Sequence, residues 1–194
     1  YNDGFVAYLN GREVARRNTP TSIEGSTIAD SVADWSTDPD VTVNGWEYGY
    51  YSETLDSDRI YQRPDFTPFP HDGGGNSATD FWTGTGYDWF EGNPPWTELF
   101  QEATHPNHPN GAVEDPANPA THVQWTVRRW NATVDSNLKA RIQFAKNNVN
   151  CGDGVIVKVF HNSTEVYSQA IEGGDGDGRD DTIEILDVFL GDTV

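Results

Sequence analysis

Alternation of apolar and polar positions with a two-residue period runs through the last third of the chain and predicts strands there. Within residues 122–130, Val123, Trp125 and Val127 are expected inward and Gln124, Thr126 and Arg128 outward. Leu138, Ala140, Ile142 and Phe144 then line one side of a second strand. Runs 155–160, 166–171 and 182–189 continue the series, divided by turns at Asn147-Asn148, at Asn162-Ser163 and in the Gly/Asp stretch 173–178. Near the amino terminus, residues 4–16 form two strands around Asn10-Gly11, with Phe5, Ala7 and Leu9 on one face and Val6 and Tyr8 on the other. In the block following Asn44-Gly45, Trp46, Tyr48 and Tyr50 share a strand face. Between 63 and 121 the period disappears. Nine of the eleven prolines lie there with Gly73-Gly74-Gly75, which excludes a long helix and leaves long loops carrying Phe81-Trp82, Trp89-Phe90 and Trp96. The one helix-like stretch is 95–102, where Pro95 suits a first turn. The pattern as a whole predicts an all-β fold, an antiparallel jelly-roll-type β-sandwich with long aromatic- and proline-rich loops.

One hairpin pattern occurs twice. Asp3-Gly4 opens five β-prone residues, a turn and a Glu13-Val14 return, and Asp153-Gly154 opens a similar run that returns through Glu165-Val166. The offset of about 150 residues is the usual size of a domain, so a tandem array is expected. Residues 1–27 are then the last hairpin of a preceding β-sandwich module plus a linker, whose polar, Pro- and Gly-punctuated stretch is 17–30. Residues 28–194 form a complete module. A chain without Met is expected to be an internal or processed segment.

Charge narrows the partners. With 12 Lys and Arg against 31 Asp and Glu, the formal charge of −19 repels phosphate backbones and anionic lipid, which argues against nucleic acid. No apolar run reaches the length of about 18 residues that a spanning helix requires. The single Cys151 permits no intrachain disulfide and is expected to be buried. Acidity of this degree favours divalent cations, calcium first. Asp175, Asp177, Asp180 and Asp181 crowd one turn as oxygen ligands, although Arg179 stands where an EF-hand ligand would be needed.

Seven Trp and eight Tyr carry the main functional signal, because flat rings stack on the C–H faces of sugars while polar neighbours take the hydroxyls. Trp125 belongs to the core. Trp46, Trp89 and Trp96 form the expected ligand platform, with Tyr50 and Tyr51 next and Arg128 as a planar hydrogen-bonding partner. His105, His108 and His122 lack a matched carboxylate and are expected to be structural. Asn131-Ala132-Thr133 and Asn162-Ser163-Thr164 fit the glycosylation pattern, the second on a hairpin turn. No nucleophile elbow, phosphate loop or zinc-finger spacing is present.

The segment from Tyr1-Asn2-Asp3-Gly4 to Val14-Ala15-Arg16 resembles the end of galactose-binding-like jelly-roll modules of large secreted bacterial proteins. Asn44-Gly45-Trp46, His108-Pro109-Asn110-Gly111, Val127-Arg128-Arg129-Trp130, Gly152-Asp153-Gly154-Val155 and Gly191-Asp192 are similar to a β-sandwich accessory module in the same kind of protein. This resemblance implies a non-catalytic accessory domain at an extracellular or cell-surface location. The expected function is glycan binding through a loop-borne aromatic patch, with a polysaccharide or glycoconjugate as partner. Two alternatives stand beside it. One is a structural repeat module that assembles with copies of itself into a surface layer or filament, and the other a polysaccharide-active enzyme on the same scaffold, which would need a converging carboxylate pair or a His-Tyr-Arg set.

Overall fold

The computed structural model describes residues 5–9 and 12–17 by their backbone, and 27–74, 77, 79–89, 94–109, 111–150 and 152–194 in full. The Asn10-Gly11 turn, most of the expected linker, Gly75, Phe90, Asn110 and Cys151 lie outside the described residues. Twelve strands are described: β1 (Phe5–Leu9), β2 (Arg12–Arg17), β3 (Trp46–Ser52), β4 (Thr67–Pro68), β5 (Gly86–Asp88) and β6 (Glu98–Phe100), followed by β7 (Thr104–His105), β8 (Gln124–Trp130), β9 (Ser136–Phe144), β10 (Gly154–His161), β11 (Thr164–Glu172) and β12 (Arg179–Val188). Two single-turn 3₁₀ helices, Arg63–Asp65 and Pro119–Thr121, complete the described elements, and every pairing with a described register is antiparallel. The chain is all-β. Among the described residues no helix is long and apolar enough to cross a membrane.

The chain divides into two compact units, and both are discontinuous. One comprises Tyr1–Ile28, Val134–His161 and Glu165–Asp192; the other comprises Ala29–Thr133, Asn162–Thr164 and Thr193–Val194.

In the first unit β9 pairs with β12 and encloses, in sequence, the β10–β11 hairpin; β1 and β2 form a third ribbon. The sequence alternation of β9 is realised. Leu138, Ala140, Ile142 and Phe144 are half-buried while Lys139, Arg141 and Gln143 face solvent, because a strand covered on one face keeps the period of its side chains. Opposite them, Lys139 lies across from Glu184, and Arg141 binds both carboxylate oxygens of Asp180. Ile171, Ile185 and Val188 are buried. Asn162, at the β10–β11 turn and grouped with the second unit, has a positive φ of 56°, a conformation to which Asn is better suited than most residues.

The second unit is organised around β3. The Asn44-Gly45 turn that enters it has φ of 50° and 86°, the double left-handed geometry for which Asn-Gly is selected. A Cβ on Gly45 would also lie 2.5 Å from the Asn131 carbonyl. β3 lies between β4 and β8, with Trp46 opposite Trp130, Tyr48 opposite Arg128 and Ser52 opposite Gln124. Residues of that face meet the aromatic core of Phe69, Phe81, Tyr87 and Leu99, against which Trp35, Tyr48, Tyr50, Trp82 and Trp89 pack. On the opposite face Tyr51, Tyr61 and Trp125 stack edge to face, and Arg129 lies 3.7 Å over the Phe66 ring while binding Glu47.

Two expectations about this unit change. Gln124, Thr126 and Arg128 were expected outward, yet Gln124 is fully buried, because β8 is covered on both faces and alternation cannot then say which face is inside. Residues 95–102 form no helix, and Glu98–Phe100 within them are the strand β6. Leu99 is buried opposite Tyr87 and Thr104, and the Asn107 side chain accepts the Trp96 N–H at 2.9 Å, so tertiary pairing overrides a short apolar run whose period was ambiguous. The rest of the proline-rich region is the predicted set of loops, drawn together by four short strands and the aromatic core.

Candidate functional site

The site is built on the first half of β3. Residues 36–42 fold into turns held by their own hydrogen bonds: Ser36 Oγ to the Asp38 carbonyl, Asp38 N–H to Ser36 Oγ, Asp40 N–H to Asp38 Oδ1, and Val41 N–H to the Asp38 carbonyl. Between this loop and β3 lies a half-open depression of about 160 Å³, whose walls include Trp46, Tyr48, Phe69 and Tyr87 with Asp38 and Ser36 at its polar side. Phe69 and Tyr87 stack nearly parallel at 5.1 Å, and Trp35 backs Tyr48 at 4.5 Å. Four aromatic residues and two carboxylates, Asp38 and Glu47, therefore line one concavity.

Two polar groups on these walls have neither solvent nor a partner: Trp46 Nε1 and the Tyr48 hydroxyl. Leaving such a group unmet costs about 1–3 kcal/mol, so folding has not placed them there for their own stability. Burial pushes the Tyr48 phenol up to about 12, with Arg128 opposing and Asp34 reinforcing the shift. Burial also raises Tyr87 to about 12, followed by the influence of Tyr48, Asp40 and Asp38. Both phenols are neutral when folded, so the stability they confer is complete below the ordinary tyrosine value of about 10 and is lost as pH rises through it toward the folded values. In an alkaline titration followed at 295 nm, Tyr48→Phe and Tyr87→Phe are each expected to remove part of a delayed ionisation wave that coincides with loss of near-ultraviolet circular dichroism. A single unshifted wave in the wild type would contradict the burial of these rings.

The expected site residues scatter. Trp46 lines the depression. Tyr50 and Trp89 pack on each other at 4.8 Å within the aromatic core, and Tyr51 is 1% exposed on the opposite face of β3, its hydroxyl donating to Asp56 at 2.8 Å. Trp96 is half-buried, with its backbone N–H held by Asn107 and its carbonyl 2.9 Å from His105 Nδ1. Arg128 donates to the carbonyls of Ser31, Phe100 and Gln101 and lies 5.6 Å over the Trp35 ring. The acidic turn disperses as well. Asp175 binds Arg179 at 2.8 Å, Asp180 binds Arg141, and Asp181 accepts the Tyr167 hydroxyl, while Asp175 Oδ1 also receives the Asp177 N–H. Among the described residues no group of three His, Cys, Asp or Glu side chains is placed to hold a metal ion. Both glycosylation-pattern asparagines have structural tasks: Asn131 Nδ2 donates to the Gly45 carbonyl, and Asn162 Oδ1 accepts the Thr193 N–H.

Phe69 and Tyr87 were not singled out in the sequence, Asp38 stood out only as part of a weak acidic run, Asp38-Pro39-Asp40, and Tyr48 only by its strand face. That face, shared with Trp46, was the available signal for Tyr48, whereas Phe69, Tyr87 and the 36–42 turns reach the site through long-range packing. The chain matches no protein-family model, no curated protein and no solved structure.

Proposed function

We propose that this chain is an extracellular, non-catalytic β-sandwich module that binds glycans in the depression between β3 and residues 36–42. One observation carries the reading: Trp46 and Tyr48 both line the depression, and each holds a buried donor-capable group, Nε1 and the hydroxyl, without a partner. A sugar supplies what such a wall lacks, since its C–H face covers the rings and its hydroxyls meet donors and acceptors that have no other partner. The enclosing of the β10–β11 hairpin by the β9–β12 pair supports the jelly-roll-type reading of the scaffold.

The test separates a binding wall from ordinary packing. Tyr48→Phe keeps its ring and removes only the unmet hydroxyl, so it is expected to be about 1 kcal/mol more stable, while in both Tyr48→Phe and Trp46→Phe glycan binding weakens by about tenfold or more. Both readouts come from urea unfolding and from titration against the best ligand of a glycan array. Retained affinity in both variants would sink the assignment of this wall.

A further inference from the structure

The charge at the depression deepens the glycan reading, on which the following step rests. Its described lining residues include Asp38 and Glu47 and no Lys, Arg or His. Glu47 is already neutralised, since Arg129 reaches it through Nε at 2.8 Å and Nη2 at 2.5 Å. The neighbouring cation Arg128 is half-buried, with its guanidinium committed to three carbonyls and the Trp35 face. Asp34 and Asp40 add negative potential at Tyr48 and Tyr87, as their influence on those phenols records. Asp38 is exposed and lines the depression together with Trp46 and Tyr48; its Oδ1 accepts the Asp40 N–H, and no cationic side chain among the described lining residues pairs with it. Aromatic faces and a carboxylate around one small concavity are the recognition chemistry of an ammonium group.

We infer that the depression takes a protonated amino sugar in preference to the corresponding neutral sugar, and rejects the uronate. In this arrangement the rings cover the sugar's C–H face, and the 2-ammonium group sits toward Asp38.

The experiment uses the full chain and three short oligosaccharides of equal length and linkage, built from glucosamine, glucose and glucuronate, titrated by calorimetry near pH 6 at low and at moderate salt. The glucosamine oligomer is expected to bind about tenfold more tightly than the glucose oligomer, with the glucuronate oligomer weakest. Because the whole protein carries a charge of −19, two variants locate the effect. Asp38→Asn keeps an oxygen for the Asp40 N–H and is expected to bring the amino and neutral ligands to within about twofold. Glu184→Gln removes an exposed carboxylate of β12, in the other unit, and is expected to preserve the preference. Equal loss in both variants, or uronate binding as tight as amine binding, overturns the inference while leaving the glycan site standing. Failure of all three oligomers to bind the wild type, together with a blank glycan array, removes the site itself.

Discussion

Asp80→Ala is expected to cost about 3–5 kcal/mol of folding stability, more than any surface charge change in this chain. Asp80 is fully buried, and one of its oxygens accepts from His71 Nδ1 at 2.8 Å and from the Trp82 N–H at 3.0 Å. Its own backbone is tied to Ser77, through both the Ser77 carbonyl and hydroxyl, so the carboxylate is fixed before it meets its donors. Removing it strands two donors in the interior and loosens the next residue, Phe81, which is 2% exposed and forms one wall of the aromatic core. Asp80→Asn keeps an acceptor of the same shape and is expected to cost about 1–3 kcal/mol. Urea unfolding followed by tryptophan fluorescence measures both, with an unchanged slope showing that the denatured state is not altered. An Asp80→Ala loss below about 1 kcal/mol would mean that the His71–Asp80 pair does not hold this loop.

That pair illustrates which parts of the molecule the sequence makes legible. Strands of the carboxy-terminal unit are visible because β9 and β12 each cover a core with one face and meet water with the other, so Leu138 to Phe144 and Ile183 with Ile185 write their orientation into the alternation. The Asn44-Gly45 and Asn162-Ser163 turns are visible because positive φ selects their residue types. Strand β8 is visible as a strand but not in its orientation, since Gln124 on one face and Trp125 on the other are both packed. Gln124 is buried because Thr97 Oγ1, 27 residues earlier, donates to it at 2.6 Å. Nothing local announces such a partner. The site follows the same division. Trp46 and Tyr48 share a strand face that alternation shows, while Phe69, Tyr87 and Asp38 arrive from separate segments and join it only through tertiary packing. Aromatic content alone could not separate Trp46, on the wall of a concavity, from Tyr51, Tyr50 and Trp89, which the interior uses as filling.

Arg128→Ala is expected to lower stability by about 2–4 kcal/mol, and the affinity of the molecules that remain folded is expected to change by less than about threefold. The guanidinium is a good ligand group in principle, but its donors are spent on three backbone carbonyls: those of Ser31, Phe100 and Gln101, with the Trp35 ring beneath. These carbonyls come from two segments separated by about 70 residues, and the Gln101 side chain itself donates to the Val32 carbonyl at 2.9 Å, so Arg128 is the centre of a clasp. Without it, buried acceptors lose their donor and Trp35 loses its cation. Lys cannot replace it, because one ammonium on a flexible stem does not span three carbonyls arranged for a planar fork. Arg128→Lys is therefore expected to recover less than half of the loss, whereas a residue needed only for its positive charge would be rescued fully. Binding measured per folded molecule decides between clasp and ligand group: a drop of tenfold or more in Arg128→Lys, with its unfolding midpoint restored, would place Arg128 on the sugar and contradict its assignment to the scaffold.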